Sequence, residues 1–520
     1  MVTKFLEGKI GMNHRSPLES FLDKSISEGN DINPGFIAYL ASLEQINSNS
    51  PEVVKSIVQE LDDQRSNLKM IASENFSSLA VQLAQGNLFT DKYAEGYPFH
   101  RFYAGCDNVD TVESNAVDLA KEIFGCEHAY MQPHSGADAN LVAYWAILSS
   151  RVQNPYLNSV GKKDVSALDD SEWKELRTAF GNQRILGMDY YSGGHLTHGY
   201  RHNVSSRMFE AHSYSVDPKT KLIDYSNVRE LAKRIRPLIM LAGYSAYPRH
   251  INFRVFREIA DEVGAVFMVD MAHFSGLVAG GLFVDDNDPV KHAHVVTSTT
   301  HKTLRGPRGG MILSTNELGE HVDKGCPLVL GGPLPHAIAS KAVAFSEAKT
   351  NEFKEYTKNI VVNSKTLAKR FMNLGVEVLT GGTDNHLMLI DVTPFKITGR
   401  QAESVLRDAG ITLNRNSLPF DVNGPWYTSG LRIGTPAITT LGMAEAEMNE
   451  ISEIAAMVLK NTIPETISKG RKAGNISKAK YKIDQSVLNK AKSRIKDLLK
   501  SFPVYPEIDL DYLKEKFLKQ

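Results

Sequence analysis

Short β-type runs that alternate with helical patterns constrain the fold of this chain more than any other feature. Between residues 128 and 314, several apolar runs are followed by segments with helical apolar spacing, such as residues 252–264. Strands that alternate with helices indicate βαβ units and a largely parallel sheet, which is an α/β fold. The predicted strands are residues 128–132, 184–188, 237–244, 265–270, 293–298 and 309–314.

The pattern changes on either side of this region, which predicts one separate segment before it in the chain and one after it. The first part contains two stretches with helical apolar spacing, and Ser50-Pro51 begins the second stretch as an N-cap followed by proline. We therefore predict an N-terminal helical extension over residues 1–64 and a large domain over residues 65–345. Beyond these, a long helical stretch leads to two further strands, which predicts a smaller C-terminal α+β domain over residues 346–520.

Two polar segments are interpreted separately. Residues 151–183 are punctuated by Asn-Pro and Gly-Lys-Lys, which predicts an insertion between core elements. The tail over residues 465–500 is rich in lysine, and its apolar residues share one helical face. This favours a docked helix with a solvated basic face over a nucleic-acid site. The apolar face comprises Val487, Ala491, Ile495, Leu498 and Phe502.

Composition and charge exclude several classes of protein. The 520 residues, of which 42% are hydrophobic, are enough for a sizeable core. A formal net charge of −1 gives no indication of a nucleic-acid partner or an anionic membrane, and no apolar run is long enough to span a bilayer. The three cysteines are too few for a disulfide framework or a cysteine-rich metal site. Because the N-terminus also lacks the apolar core of a signal peptide, we expect a soluble cytoplasmic protein.

Lys302 lies just beyond a predicted strand in a cationic neighbourhood, with His301, Arg305 and Arg308 within a few residues. Nearby positive charge and partial burial both lower the pKa of a lysine. A lysine with a lowered pKa is a nucleophile that can form a Schiff base with a carbonyl. The alternative is a solvated loop that carries a few cations.

Other polar residues lie at the ends of predicted strands, where ligands collect in open α/β sheets. Ser135 and Gly136 would present a helix N-terminus to a phosphate, although many helices begin with Ser-Gly merely as a cap. Asp270 ends an apolar strand and His273 follows it. The carboxylate of Asp270 suits a buried cation, such as a protonated ring nitrogen, or an ordinary loop cap.

Three further segments carry candidate side chains. His195 follows two glycines and can stack on another flat ring, whereas a metal pair with His198 is discounted because no carboxylate or cysteine lies nearby in the sequence. Residues 91–110 surround Glu95 with tyrosines, which indicates an acid/base site or a surface loop of packed aromatic side chains. Arg432 lies in a strand-like run, where its planar fork suits a carboxylate ligand or a structural ion pair.

Together these residues supply what pyridoxal phosphate needs when it acts on an amino acid. They provide an anion cradle, a carboxylate for the ring nitrogen, a stacking ring, a nucleophilic lysine and an arginine for the substrate carboxylate. Lys302 is then placed to hold the cofactor aldehyde as a Schiff base, and no metal is required.

A set of segments resembles those of serine hydroxymethyltransferases, in the order of that family, from about residue 65 to about residue 460. These segments are KYAEGYP, PHSGADAN, SGGHLTHG, VDMAHFSGLVAGG, TTHKTLRGPRGG, GGTDNHL, NRNSLPF and SGLRIGTPAITT. The resemblance implies fold type I of the pyridoxal-phosphate-dependent transferases, which is aspartate-aminotransferase-like with a mainly parallel central sheet. It also implies a homodimer, or a dimer of dimers.

The resemblance implies pyridoxal 5'-phosphate as the cofactor and tetrahydrofolate as a co-substrate. The implied reaction interconverts serine and tetrahydrofolate with glycine and 5,10-methylenetetrahydrofolate. Two rivals stay open: a folate-independent aldolase that acts on β-hydroxy amino acids, and a non-catalytic binding protein that has kept the fold. Glu95 and residues 414–420 argue against the first rival, and the intact set of Lys302, Asp270 and Arg432 argues against the second.

Roles for individual residues also follow from the resemblance. The implied catalytic residues are the Schiff-base lysine Lys302, the ring-nitrogen partner Asp270, the stacking residue His195, the acid/base residue Glu95, and Thr299. The cofactor site further includes Ser135, Gly136 and His301 around the phosphate, His273 near the phenolic oxygen, Ser245 in a second layer, and Tyr93. The substrate site includes Arg432 and Ser73 at the carboxylate, with Glu95, Tyr93 and Tyr103 reaching in from the partner subunit, and Gly194, Leu196 and Asn416 at the folate.

Departures from the family pattern concern cofactor affinity more than reaction type. Residues 325–330 read GCPLVL where a glycine-rich loop usually contacts the phosphate of the neighbouring subunit's cofactor. Ala137 stands where a serine is common in the phosphate cradle, and Phe102 stands where a tyrosine is common.

Overall fold

A seven-stranded sheet lies at the centre of the computed structural model, which describes residues 15–469 and 473–519. Its strands are β1 (His128–Tyr130), β2 (Arg184–Met188), β3 (Glu210–Tyr214), β4 (Ile239–Gly243), β5 (Val266–Asp270), β6 (Val295–Thr299) and β7 (Gly310–Ser314). Their order is β1-β7-β6-β5-β4-β2-β3. Strands β2 to β6 run parallel to one another, whereas β7 is antiparallel to both β1 and β6. The predicted α/β fold with a mainly parallel sheet is confirmed.

The edge strand β3 is the one strand of this sheet that the sequence did not predict. Its residues, Glu-Ala-His-Ser-Tyr, lack the apolar run that marked the other strands, and most of them are at least partly exposed. An edge strand is hydrogen-bonded on one side and needs less apolar surface than a central strand.

Helices cover both faces of the central sheet. Successive residues of a strand point to opposite faces, so Met240 and Ala242 join one core cluster while Ile239 and Leu241 join the other. The first face packs against helices Asp107–Phe124, Tyr225–Ile235, Phe253–Val263 and Pro335–Ala348, and the second against Gly136–Leu148 and Asn316–Asp323. This burial on both faces explains why the central strands read as continuous apolar runs.

A second, four-stranded antiparallel sheet follows in the chain. Its strands are β8 (Glu377–Val378), β9 (Leu387–Asp391), β10 (Asn414–Asn416) and β11 (Gly430–Gly434), in the order β8-β9-β11-β10. Its core cluster takes side chains from helices Asn351–Asn373, Gly399–Asp408, Glu445–Lys460 and Gln485–Ser501. The long helix predicted from residue 346 is instead two helices, because Thr350 caps the second one: its Oγ1 accepts a hydrogen bond from the Phe353 N–H at 3.2 Å.

The predicted docked helix of the lysine-rich tail is present as Gln485–Ser501, and its packing face is turned slightly from the predicted one. Leu488, Ala491, Ile495 and Leu499 are buried, whereas Leu498 lies at the margin of the cluster. Residues 470–472 of this tail lie outside the described residues.

Contacts divide the chain into two units. One comprises Asn67–Phe502, with both sheets, and the other comprises the chain up to Ser66 together with the chain from Pro503 on. The latter unit contains helices Pro17–Glu28, Pro34–Asn47, Pro51–Ser66 and Leu510–Phe517. The first of these was not predicted, although Ser16 and Glu19 form a capping box that the sequence Ser-Pro-Leu-Glu signals. The predicted boundary at residues 345 and 346 lies inside the larger unit and stays a prediction.

The remaining elements are short. The predicted insertion at residues 151–183 contains helices Asn154–Ser159 and Asp170–Gly181. Other helices are Leu79–Leu83, Ser205–Met208, Ser275–Ala279, Pro289–His292, Gly325–Leu328, Gly424–Tyr427 and Pro436–Thr440, and other strands are Leu68–Lys69, Gly96–Tyr97, His100–Arg101, Ile411–Thr412, Thr462–Thr466 and Ile476–Ile483. Across the described ranges, no helix has the length and apolar character needed to cross a membrane. Residues 1–14 of the predicted extension are outside those ranges.

Candidate active site

The carboxyl ends of the central strands meet around a cavity of about 490 Å³. Ser135 follows β1, Ser245 follows β4, Asp270 ends β5, and Thr299 ends β6 just before Lys302. Parallel strands bring such ends to one edge of a sheet. Most of the predicted site residues line the cavity; they are Ser73, Ser135, Gly136, Gly194, His195, Leu196, Ser245, Asp270, His273, Thr299, His301, Lys302, Asn416 and Arg432.

The amine of Lys302 is buried beside the end of β6, where Nζ donates a hydrogen bond to Thr299 Oγ1 at 3.0 Å. The pKa of Lys302 falls to about 8, chiefly because burial disfavours the charged ammonium. The cations Arg432 and Arg308 lower it as well, while the Asp270 carboxylate opposes them. About a tenth of the amine is therefore neutral, and nucleophilic, one pH unit below this pKa, far more than for an ordinary lysine.

Both causes inferred from the sequence, burial and nearby positive charge, lower this pKa, and the structure shows which neighbours contribute. Of the three neighbours named there, Arg308 contributes, whereas Arg305 directs its guanidinium at the Tyr356 ring, 4.7 Å from the ring centroid. Burial is the larger effect, and it arises from tertiary packing rather than from residues adjacent in the chain.

We expect attachment of an aldehyde cofactor to Lys302 to accelerate as pH rises. Only the neutral amine attacks a carbonyl, and its fraction grows as pH increases through the pKa of about 8. Stopped-flow absorbance after pyridoxal phosphate is added to the apoprotein measures this rate, with Lys302→Ala as the blank. A rate that is constant from about one pH unit below to one unit above that pKa would contradict the assignment.

Asp270 is a buried carboxylate held by three partners. Its Oδ2 accepts a hydrogen bond from Asn140 Nδ2 at 3.0 Å and lies 3.1 Å from His198 Nε2, and its Oδ1 accepts one from the Ala272 N–H at 3.0 Å. Burial raises the pKa of Asp270, but the His198 and His195 rings and the Asn140 amide more than offset it and hold the pKa below its ordinary value. Asp270 is therefore ionised and oriented, and the sequence did not identify Asn140 and His198 as its partners.

His195 is a neutral ring in the same cavity. Burial lowers its pKa to about 4, and its Nδ1 lies 2.7 Å from Thr197 Oγ1. The sequence-based reason against a metal pair was wrong, because the fold brings a carboxylate to it: ligand atoms of His195, His198 and Asp270 lie within 4.8 Å of one another. His198 Nε2 is already engaged with Asp270, so hydrogen bonding accounts for this group, and the prediction of no metal stays a prediction.

Arg432 is a partly buried cation whose fixed partners are neutral. Its Nη1 donates to the Ser245 carbonyl oxygen at 2.7 Å and its Nε donates to Asn414 Oδ1 at 3.1 Å. Burial lowers its pKa to about 10, and no carboxylate among the described residues offsets that cost. The structural ion pair considered from sequence is therefore not what holds Arg432, and the guanidinium is free to bind a carboxylate ligand in the cavity.

His273 forms a buried pair with His386, a residue that the sequence did not single out. His273 Nδ1 and His386 Nε2 lie 3.2 Å apart. Burial lowers the pKa of His386 to about 3 and lowers the pKa of His273 well below its ordinary value, and the nearby cations Lys302 and Arg432 add to both shifts. Both rings are thus neutral, so one nitrogen of the pair donates and the other accepts.

The predicted anion cradle is the N-terminus of helix Gly136–Leu148. Ser135 is its N-cap, and its Oγ accepts a hydrogen bond from the Asp138 N–H at 3.2 Å. A Cβ at Gly136 would lie 2.7 Å from Thr299 Cγ2, so only glycine fits there. His301 lines the same cavity with a buried Nδ1 that has no partner among the described residues, and burial lowers its pKa to about 3. N–H groups and an unpartnered ring nitrogen fit a phosphate.

Comparisons with known proteins agree with this geometry. A family model described as serine hydroxymethyltransferase matches residues 46–157 and 178–455. The chain belongs to this family. The serine hydroxymethyltransferase of Treponema pallidum (strain Nichols) is 56% identical over 507 residues, which cover 98% of this chain and 87% of the relative. The serine hydroxymethyltransferase of Salinispora tropica is 55% identical over 473 residues (91% and 98%), and that of Chlamydia felis (strain Fe/C-56) is 49% identical over 501 residues (96% and 99%).

These matches confirm the family that the sequence motifs predicted. They also confirm fold type I and the assignment as a pyridoxal-phosphate-dependent enzyme. Residues 158–177, which the family model leaves unmatched, lie inside the predicted insertion at 151–183. These comparisons give no support to the folate-independent aldolase or to a non-catalytic binding protein.

Three predicted site residues lie outside the cavity of their own chain. The Tyr93 hydroxyl lies 3.4 Å from Glu95 Oε1 and the Tyr103 hydroxyl 3.2 Å from Glu95 Oε2, so the three side chains form one cluster. Both tyrosines are exposed, at 58% and 47%. Their place in a partner's site, which the family resemblance implies, stays a prediction.

Residues 325–330, which depart from the family pattern, are near this cluster. A Cβ built at Gly332, just beyond the segment, would lie 3.3 Å from the Tyr93 ring. Within the segment, the buried Cys326 directs its Sγ at the Gly331 carbonyl oxygen, 2.9 Å away. The other two departures lie in different places. Ala137 lines the cavity, whereas Phe102 is 69% exposed beside Tyr103.

Proposed function

We propose that this chain transfers the hydroxymethyl carbon of serine reversibly to tetrahydrofolate, giving glycine and 5,10-methylenetetrahydrofolate, in the cytoplasm. The observation that carries the proposal is the pairing, in one cavity, of a nucleophilic Lys302 with a partly buried Arg432 that has no carboxylate partner among the described residues. A serine can place its carboxylate on Arg432 while its amino group is within reach of a cofactor held at Lys302.

Residues around the cavity suit pyridoxal phosphate. Ser135, Gly136 and His301 would hold its phosphate, His195 would stack on its ring, and Lys302 would hold its aldehyde. Bound pyridoxal phosphate supplies an electron sink for cleavage of the serine Cα–Cβ bond. Asp270, fixed as a carboxylate by its partners, would keep a proton on the ring nitrogen, and this charge pair strengthens the sink.

Thr299 orients the lysine. Its Oγ1 accepts from Lys302 Nζ at 3.0 Å and in turn donates to the Ala272 carbonyl oxygen at 3.2 Å. This chain of hydrogen bonds points the amine in one direction. Neutral His273, held by His386, would donate or accept a single hydrogen bond at the phenolic oxygen without adding charge.

Tetrahydrofolate would enter at the mouth of the cavity. Gly194, Leu196 and Asn416 line the cavity, and Leu196 is 41% exposed, which suits a flat apolar ring that enters from solvent. Ser73 lies with Arg432 in the cavity lining, where its hydroxyl can contact the substrate carboxylate.

A second copy of the chain completes the site in this proposal. Apolar side chains near Glu95 are unusually exposed: Leu88 at 89%, Phe99 at 77% and Phe102 at 69%. An exposed apolar patch of this kind marks an interface. In a homodimer the patch would be covered, and Glu95, Tyr93 and Tyr103 would enter the partner's cavity, where Glu95 would move protons at the serine hydroxyl and at folate.

The proposal is tested by serine cleavage with and without tetrahydrofolate. Purified protein supplied with pyridoxal phosphate should form glycine from serine rapidly only when tetrahydrofolate is present, with one methylene group transferred per glycine. Equal rates without folate would favour an aldolase, and no glycine in either condition would reject both activities.

We expect Arg432→Ala to weaken serine binding by roughly 30-fold. Losing a charge-assisted, bidentate hydrogen bond costs on the order of 2 kcal/mol, and about 1.4 kcal/mol corresponds to a factor of ten. Serine titration followed by cofactor absorbance measures the affinity. Arg432→Lys, which keeps the charge but loses the fork, should fall between wild type and alanine. Wild-type affinity in the alanine variant would show that Arg432 is only structural.

We expect weaker cofactor retention than in family members that keep the glycine-rich segment. Residues 325–330 stand where the family resemblance implies those glycines, and without them we expect a weaker backbone contact to the phosphate. Dialysis without cofactor, followed by absorbance and activity, measures the loss. Retention equal to that of a glycine-bearing relative would show that another group makes the contact.

A further inference from the structure

The backbone on both sides of Glu95 is fixed by one buried side chain. Arg101 Nη1 donates hydrogen bonds to the Ala94 and Gly96 carbonyl oxygens, each at 3.0 Å. The carbonyl oxygen of Glu95 itself accepts from the Phe102 N–H, also at 3.0 Å. Three consecutive carbonyl groups are thus held, while the Glu95 carboxylate contacts the hydroxyls of Tyr93 and Tyr103.

Arg101 is also anchored to the helix that follows. Its side chain is 4% exposed, its Nε donates to Asp110 Oδ1 at 2.8 Å, and its Nη2 donates to Glu113 Oε2 at 2.6 Å. Both carboxylates belong to helix Asp107–Phe124. The guanidinium therefore connects the Glu95 loop to a packed helix through two separate carboxylates, with a planar set of donors that no other side chain can reproduce.

Gln132 also belongs to this network. It lies in the segment between the end of β1 and the phosphate cradle at Ser135. Its Nε2 donates to the Gly96 carbonyl oxygen and to Glu113 Oε1, both at 2.8 Å. The carbonyl oxygens of its two neighbours, Met131 and Pro133, accept from the buried Lys341 Nζ at 2.6 and 3.1 Å. The chain just before Ser135 and the chain around Glu95 are thus held by one set of buried hydrogen bonds.

Stability alone is a poor explanation for this arrangement. A buried ion pair loses hydration of both charges, and apolar residues of similar size stabilise a core as well or better. The ionic network instead fixes the backbone conformation, and the carbonyl groups that it holds belong to the residues on either side of Glu95. We propose that Arg101 and Gln132 are positioning residues that set the Glu95 carboxylate for the proton transfer assigned to it, an inference that rests on the proposed function.

Arg101→Lys tests the proposal, because it keeps a buried cation but cannot bond both carbonyl oxygens and both carboxylates. The folate-dependent rate should fall about 10²-fold, as expected when a reacting group is misplaced by about 1 Å. Cofactor retention and serine affinity should stay at the wild-type values, since Lys302, Asp270 and Arg432 are untouched. A matched control is Arg65→Lys. Arg65 also donates to backbone carbonyl oxygens, those of Val504, Tyr505 and Ile508, but it and these partners belong to the unit that does not contain the cavity.

Double variants separate positioning from a general structural role. If Arg101 acts through Glu95, Arg101→Lys should cost nothing further once Glu95→Gln is present. Gln132→Met removes three hydrogen bonds, the two that Nε2 donates and the one that Oε1 accepts from the Tyr130 hydroxyl at 3.0 Å, and keeps the ion pairs. It should give a smaller loss with the same non-additivity. If Arg101→Lys does not fold, this second variant decides the matter.

Additive losses, or lowered cofactor retention and serine affinity together with rate, would overturn the proposal in favour of a structural role. So would full activity in both Arg101→Lys and Gln132→Met. A wild-type protein without folate-dependent serine cleavage would instead reject the proposed function, which keeps the two failures distinct.

Discussion

Lys302→Ala is expected to abolish covalent attachment of the cofactor and to stop turnover, a loss on the order of 10³-fold or more. The buried amine, with its pKa of about 8, is the nucleophile at the carboxyl edge of the sheet, and alanine offers no replacement. Borohydride reduction of the wild-type protein with pyridoxal phosphate, followed by peptide mapping, should place the label on Lys302.

Lys349→Ala serves as the control for this variant. Lys349 is a surface lysine paired with Glu122 at 2.7 Å, and its loss should change neither labelling nor rate. Recovery of the label on a lysine other than Lys302 would contradict the assignment.

Glu95→Gln is expected to lower the folate-dependent rate by roughly 10²–10⁴-fold, the usual loss when a general acid or base is removed. Glutamine keeps the shape and can still contact the Tyr93 and Tyr103 hydroxyls, but it cannot exchange a proton. The cofactor should still bind, because Lys302, Asp270 and the phosphate cradle are untouched, and serine should still bind because Arg432 remains.

The surface variant Glu122→Gln is a suitable control, since it makes the same chemical change on an exposed helix face. A wild-type folate-dependent rate in Glu95→Gln would remove Glu95 from catalysis. A loss of serine affinity equal to the loss of rate would make its role one of binding.

The sequence predicted the fold well because the central strands are buried on both faces and therefore read as apolar runs. Polar residues placed just after those runs had to meet at one edge of the sheet, so Lys302, Asp270 and Ser135 could be grouped from the sequence alone. Elements without that signal were missed, as β3 was, and the helix break at Thr350 depends on a single capping hydrogen bond.

The sequence did not reveal contacts between residues far apart in the chain. Asp270 is held by Asn140 and His198, and His273 is held by His386; these partners lie on other elements and are recognisable only after folding. For the same reason the carboxylate beside the two histidines was missed, and the sequence could not show which of the cations near Lys302 in the chain lower its pKa.

Two chains share each site in the proposed enzyme, with the cavity around Lys302 from one and Glu95 from the other. Mixing the inactive variants Glu95→Gln and Lys302→Ala tests this central claim most directly. If Glu95 acts across the interface, each heterodimer has one site with both lesions and one with neither, so folate-dependent activity should return to roughly a quarter of wild type after statistical exchange of subunits. No recovery, with heterodimers shown to form, would place Glu95 in its own subunit's site or outside catalysis.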